Sequence, residues 1–301
     1  MGDCGATVRQ DELVDRLLDI AIDEDIGDGD ATTAALFPTP GRTSGRYVAR
    51  APGVMAGGDV VRRLFFRLGE RFAGDAGAVR VEAIRKDGEK FDANGELLTI
   101  SGDTAIILAG ERISLNLLQR MCAVATLTSR FVALAAGTKA KILDTRKTLP
   151  GHRVLDKLAV RAGGGENHRM GLYDMVLIKD NHLAAFGGPA KAVRAARANT
   201  PLPVMVEVDT PAQLAEALEA EPDYILLDNM TPETLAEAVK AADALTREQG
   251  WKRPRLEASG GVSLATAAAA AASGVDRISV GAITHAAGSI DIGLDFDPEE
   301  E

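Results

Sequence analysis

VMVEVDTPAQLAEALEAEPDYILLDN, residues 204–229, holds one complete turn of the pattern that decides the fold. An apolar strand runs over Val204–Asp209 and ends in carboxylates. Thr210-Pro211 follows, an N-cap with proline at the first helical position. A helix over Ala212–Glu219 leads into a second apolar strand, Tyr224–Asn229, which again ends in polar residues. Strands that are nearly all apolar and joined by helices belong to a parallel sheet buried on both faces.

The pattern repeats outward in both directions. Strands are expected at Ala140–Arg146, Met175–Asp180, Val204–Asp209, Tyr224–Asn229, Arg255–Gly261 and Arg277–Ile283. Helices are expected at Val154–Ala162, Ala190–Ala198, Ala212–Glu219, Pro232–Glu248 and Leu264–Ala272. Six strand–helix units fall short of the eight of a closed barrel. The expected fold is therefore an open, incomplete parallel α/β barrel, with a doubly wound sheet as the alternative.

Upstream the character changes. Short alternating runs, Gly45–Arg50, Ala78–Ala83, Glu96–Ser101 and Thr104–Leu108, read as strands, with helices at Asp11–Ala21 and Val60–Phe72. These make a mixed α/β sandwich domain. Glu111–Ala136 is one long helical pattern, with Ile113, Leu117, Met121, Val124, Phe131 and Leu134 on one face. On this reading Arg112 lies in the first helical turn, where a cation opposes the macrodipole. The sandwich spans 1–117 and the barrel 118–286. The acidic run DEDIGDGD, residues 23–30, fails as a calcium loop, because Gly27 stands where the third oxygen ligand belongs.

Composition narrows the function class. The 301 residues are 46% hydrophobic and 26% charged, with a net charge of -10, which argues against nucleic acid as a bulk partner. No apolar run is long enough to span a membrane, and the N-terminus lacks the apolar core of a signal peptide. Cys4 and Cys122 supply neither a disulfide framework nor a metal cluster, and Cys122 falls in an apolar helical face. Together these place the protein in the cytoplasm.

Against that acidic background, residues 144–182 are locally cationic. They carry three of the four histidines (His152, His168, His182) and Arg146, Lys147, Arg153, Lys157, Arg161, Arg169 and Lys179. Apolar runs flank this window, so cations at strand ends point to a small, multiply anionic substrate. In parallel barrels the site lies at the C-terminal strand ends. Those ends read TRK, KDNH, EVD, LDN, ASGG and VGAIT. Ser259-Gly260-Gly261 and Val280-Gly281-Ala282 suit a phosphate cup of backbone amides after the last two strands. Arg146, Lys147, His168, Arg169 and Lys179 form a cationic clamp. Glu207, Asp209 and Asp228 can hold Mg²⁺, ribose hydroxyls or a developing oxocarbenium charge. Such a site suits transfer of a phosphosugar; it does not name the acceptor.

The blocks ILDTRKTLPGHR, KLAVRAGGGENHR, VLIKDNH, EVD, LLDN, EASGGV and SVGAITH, in this order, resemble quinolinate phosphoribosyltransferase. EDIGDGDATT at 24–33 and GERISLNLLQRMCAVAT at 110–126 extend the resemblance over nearly the whole chain. One departure is Ile113-Ser114, where the family more often has Thr-Ala. The resemblance implies phosphoribosyl transfer from phosphoribosyl pyrophosphate to quinolinate, with decarboxylation to nicotinate mononucleotide. It implies a last strand near Ser289–Leu294, so that 287–301 returns to the first domain. It also implies a homodimer in which Arg112 serves the partner's site. Residue by residue, Arg112, Arg146, His168 and Arg169 would clamp the quinolinate carboxylates, and Lys147 and Lys179 would meet the pyrophosphate. Glu207 and Asp228 would hold ribose hydroxyls and Mg²⁺. Ser259, Gly260 and Gly281 would bind the 5′-phosphate, with His285 nearby.

Two other readings compete. A paralogous, molybdenum-transport-associated group shares the fold but lacks the lysine of KDNH and the Glu-Asn of GENHR; Lys179, Glu166 and Asn167 favour the quinolinate enzyme. A non-catalytic phosphometabolite-binding barrel gains nothing from Glu207 and Asp228.

Overall fold

The computed structural model describes residues 4–37, 39 and 41–297. In chain order its elements are α1 (Cys4–Asp25), α2 (Ala31–Leu36), β1 (Arg42–Ala49), β2 (Gly53–Val54), α3 (Gly58–Ala73), β3 (Val79–Ala83), β4 (Lys90–Phe91), β5 (Glu96–Asp103), α4 (Thr104–Leu134), β6 (Lys141–Leu143), α5 (Arg153–Ala162), β7 (Val176–Ile178), α6 (Asp180–Phe186), α7 (Pro189–Asn199), β8 (Val204–Val208), α8 (Pro211–Glu219), β9 (Tyr224–Asp228), α9 (Pro232–Gln249), β10 (Arg255–Ser259), α10 (Ala267–Ala272), β11 (Arg277–Ser279), α11 (Ala282–His285) and β12 (Ile292–Phe296). Two compact units result. Among the described residues, one comprises those within 4–127, 149–164 and 287–297; the other comprises 128–148 and 165–286.

The first unit is built on an antiparallel sheet ordered β12-β1-β5-β3. Its last strand in the sequence, β12, pairs with its first, β1, with Ala49 opposite Ile292. Leu97, Leu98, Ile100, Leu64, Phe65 and Leu68 are fully or almost fully buried and form the apolar interior. The acidic loop ends as a cap: Asp30 Oδ1 accepts the Thr32 and Thr33 N–H groups and starts α2.

Two expectations change here. Thr104–Leu108, read as a strand, forms the opening turns of α4, because Asp103 Oδ1 accepts the Ile106 N–H and caps the helix seven residues before Glu111. Arg112 therefore lies two turns inside α4, and the dipole argument for it lapses. The helix at Val154–Ala162, expected to pack on the parallel sheet, belongs to the first unit instead. Its buried Asp156 Oδ1 lies 3.4 Å from Arg120 Nη2 of α4.

The second unit is a six-stranded parallel sheet ordered β6-β11-β10-β9-β8-β7. All its pairings are parallel, with Ser279 opposite Leu143 and Val208 opposite Leu227. This is the circular strand order of an α/β barrel opened between its first two strands. The residues that should join β6 to β7 instead lie along the seam. Glu166 bridges to Leu143, its N–H donating to Ile142 O at 2.8 Å and its carbonyl accepting the Asp144 N–H at 3.3 Å. α6 was not expected. The strand before it stops at Ile178, and the His182 ring closes the cap by accepting the Lys179 N–H at 3.0 Å.

Candidate active site

The C-terminal ends of β6–β11 surround a cavity of about 520 Å³ lined by Arg146, Lys147, His168, Arg169, Lys179, Glu207, Asp228, Asn229, Ser259 and Gly260, among others. Small-molecule sites run roughly 300–1,000 Å³. Nine of the twelve residues expected at the site line it. Gly281 and His285 adjoin it through Lys147. A Cβ on Gly281 would sit 3.1 Å from Lys147 Cδ and 3.4 Å from His285 Nε2. Arg112 lies in the first unit and is exposed.

Each wall has a local cause. On the first, Asp144 is wholly buried just past β6. Its Oδ1 accepts the His168 N–H at 2.9 Å and its Oδ2 the Asn167 Nδ2 at 2.6 Å. That carboxylate pins the seam segment beside β6. Arg169 Nη1 then donates to Met175 O at 3.1 Å, at the entry to β7. The segment thus lies along the open seam and carries Arg169 to the cavity that Arg146, after β6, also lines. Burial, and next the nearby Arg146 guanidinium, hold Arg169 below the ordinary arginine value. Like charges brought together in a half-buried place favour an anion between them.

The opposite wall is acidic. Burial raises the Glu207 carboxyl above its ordinary value; Lys179 opposes this, and Asp228, Asp180 and Asp209 add to it. Burial likewise raises Asp228, Asp209 adds to it, and Lys179 and Lys147 oppose it. Lys179 Nζ stands 3.9 Å from Glu207 Oε2, between the two characters of the cavity.

The third wall is backbone. Gly260 and Gly261 follow β10 with φ of 86° and 61°. A side chain on Gly260 would collide with Asn229, whose Oδ1 would lie 2.2 Å from the added Cβ. Asn229 itself has φ 53°, donates its N–H to Ser259 O at 2.9 Å, and donates Nδ2 to Asp228 Oδ2 at 2.6 Å. It ties the phosphate-type loop to the carboxylate beside it.

Four residues carry no assignment in the sequence reading: Asn229, which lines the cavity, and Asp144, Glu257 and Arg277, which are buried and do not line it. Glu257 is fully buried on β10, with Oε1 3.2 Å from His168 Nε2 and Oε2 3.0 Å from Arg277 Nε. The signal was present. Charged residues inside otherwise apolar strands, as in ILD and RLEAS, are costly unless they hold something in place.

No group of three or more His, Cys, Asp or Glu among the described residues is arranged to hold a metal. Glu207 and Asp228 still suit Mg²⁺, which takes one or two carboxylates and fills its remaining positions with water and substrate phosphates.

Residues 30–122 match the quinolinate phosphoribosyl transferase N-terminal domain and residues 124–295 its C-terminal domain. The nicotinate-nucleotide pyrophosphorylase [carboxylating] of Mycobacterium leprae is 46% identical over 282 residues, covering 92% of this chain and 94% of the relative. A probable enzyme of the same name from Bacillus subtilis is 39% identical over 276 residues, covering 90% and 89%. The solved nicotinate-nucleotide pyrophosphorylase of Francisella tularensis superposes with a TM-score of 0.85 at 35% identity, covering 95% of this chain and 96% of that one. With both domains matched in order across nearly the whole chain, this protein belongs to the quinolinate phosphoribosyl transferase family.

Proposed function

We propose that this chain transfers the phosphoribosyl group of phosphoribosyl pyrophosphate to quinolinate, releasing pyrophosphate and carbon dioxide and forming nicotinate mononucleotide. The observation that carries this reading is the pairing of Arg146 and Arg169 in one half-buried cavity, facing the carboxylates Glu207 and Asp228. A planar dianion relieves the first pair, and a centre that gains positive charge suits the second.

The chemistry follows from that division. Arg146 and Arg169 hold the two quinolinate carboxylates bidentately. Arg112 of the partner subunit completes the clamp in a homodimer; its exposure on α4 suits a role outside its own unit. Ser259, Gly260 and Gly281 take the 5′-phosphate, with His285 beside them. The ring nitrogen forms its bond to C1′ as the bond from C1′ to pyrophosphate breaks. Glu207 and Asp228 steady the cationic centre between them, and Lys147 and Lys179 meet the charge gathering on pyrophosphate. Mg²⁺ held by Glu207 and Asp228 would neutralise part of that charge. The pyridinium so formed takes up the electron pair of the C2–carboxylate bond; carbon dioxide leaves and C2 is protonated. No covalent nucleophile is needed. A cytoplasmic setting accords with the buried Cys122, a free thiol.

Ultraviolet detection of nicotinate mononucleotide tests the reading, with quinolinate, phosphoribosyl pyrophosphate and Mg²⁺ supplied beside a nicotinate-only control. Product from quinolinate alone supports it. Binding of phosphoribosyl pyrophosphate without pyrophosphate release would instead mark a binding barrel.

A further inference from the structure

Beneath the cavity lies a line of buried charge that this chemistry does not use. Glu257 has no exposed side-chain surface, and Arg277 is 8% exposed. The Arg277 guanidinium stacks 4.5 Å over the Tyr224 ring. Neither Glu257 oxygen accepts an aligned hydrogen bond, so charge and proximity hold it. Burying a carboxylate this way is expensive, and a partly satisfied polar cluster costs more than an apolar one.

His168 connects this cluster to the cavity. Its Nδ1 accepts the Arg169 N–H at 2.7 Å. The ring hydrogen therefore sits on Nε2, and Nε2 is the atom 3.2 Å from Glu257 Oε1. Nδ1 is thus taken up by the Arg169 N–H, and Nε2 faces Glu257 at 3.2 Å without an aligned hydrogen bond. Through Nδ1 the ring bears on the backbone of Arg169, beside the substrate space. The Asp144 carboxylate holds the His168 N–H from the other side. The two buried carboxylates, on β10 and at the end of β6, thus grip one residue between them.

We propose that Glu257 is a positioning residue for the quinolinate clamp: it fixes the His168 ring, and that ring sets the backbone from which Arg169 reaches the substrate. Arg277, 3.0 Å away, is the counter-charge on the other side of Glu257. The inference rests on the function proposed above and deepens its account of the carboxylate half of the site.

The test compares wild type with Glu257→Gln, His168→Asn, the pair of these, and Glu257→Leu/Arg277→Met. The last removes both buried charges together, an exchange proteins often tolerate without loss of stability. Glu257→Gln should raise KM for quinolinate about tenfold and leave KM for phosphoribosyl pyrophosphate within about twofold. Adding His168→Asn should cause no further loss, since the two act in series. Glu257→Leu/Arg277→Met should melt near the wild-type temperature and share the quinolinate-specific defect. Equal damage to both KM values, additive losses, or a wild-type quinolinate KM in a folded variant would overturn the proposal. A wild type that makes no nicotinate mononucleotide would fail the function reading separately. The positioning claim would then be read by NMR without substrate. An Arg169 amide signal that shifts or broadens in Glu257→Leu/Arg277→Met relative to wild type supports it, and an unchanged signal in both overturns it.

Discussion

Glu207 and Asp228 are raised by the same burial that makes them useful, and the sign of that shift has two consequences. An ionised carboxylate is less favoured in the folded chain than in the unfolded one. Stability therefore falls as pH rises through their window and is regained as pH drops back through it. Catalysis, which needs them ionised, runs the other way and fails on the acid side at a higher pH than ordinary carboxylates would allow. Asp209 is exposed and adds its negative charge to both, so Asp209→Asn should move the acid limb of the kcat/KM profile to lower pH. An unmoved or raised limb would show that a different group sets it. Gly260 allows a cleaner test. An alanine there carries a Cβ into Asn229 at a left-handed φ, so Gly260→Ala should raise KM for phosphoribosyl pyrophosphate at least about tenfold while quinolinate binding measured alone persists. Cys122 is the contrast. Its thiol, pushed up to about 12 by burial, donates to Ala56 O and faces no substrate. Cys122→Ser should keep turnover within about twofold and lose about 1 kcal/mol of stability in a denaturant melt.

At the scale of elements, what was legible depended on whether the deciding interaction was local. The βαβ rhythm was legible because alternation, Thr-Pro caps and glycine breaks all lie within a few residues of what they control. Strands β8–β10 fall where the pattern put them, a residue or two shorter at the tip. The start of α4 was not legible, because ELLTISGDTAIIL alternates like a strand until Asp103 captures the Ile106 N–H. α6 was hidden because its cap is a histidine ring. α5 satisfies helical periodicity anywhere, and what ties it to the first unit lies far away in sequence, as where its buried Asp156 faces Arg120. One element pair invites measurement. Asp11, Asp15, Asp19 and Asp23 on α1 face Arg63, Arg67 and Arg71 on α3 in a ladder at helical spacing, with Arg63 gripping Asp15 through two nitrogens. These pairs are partly exposed, so each is worth about 1 kcal/mol or less. Arg67→Ala should lower stability by that amount in low salt, and the difference should shrink as salt rises. A salt-independent loss would mean that packing of the arginine stem, not its charge, holds the helices.

For the molecule as a whole, the fold places nine expected residues around one cavity because the strand ends of the second unit all face it. The tips were legible one by one as polar endings on apolar runs. Their convergence was legible only through the barrel's strand order. The buried grip on His168 was not legible, since Asp144, His168 and Glu257 are far apart in sequence and meet only in the folded second unit. Arg112 is the remaining piece, and the proposed dimer gives it a measurable consequence. If Arg112 serves the partner's site, a subunit lacking it and a subunit lacking Arg169 have defects in different places. Each single variant, Arg112→Ala or Arg169→Ala, should be nearly inactive as a homodimer. Mixed dimers would contain one site with Arg169 from one subunit and Arg112 from the other, and that site is intact. Co-expressing the two variants should therefore restore about one working site per mixed dimer, near half of wild-type turnover per isolated heterodimer. Two inactive homodimers whose heterodimer is also inactive would place Arg112 in its own subunit's site. An Arg112→Ala homodimer with full activity would remove it from the clamp altogether.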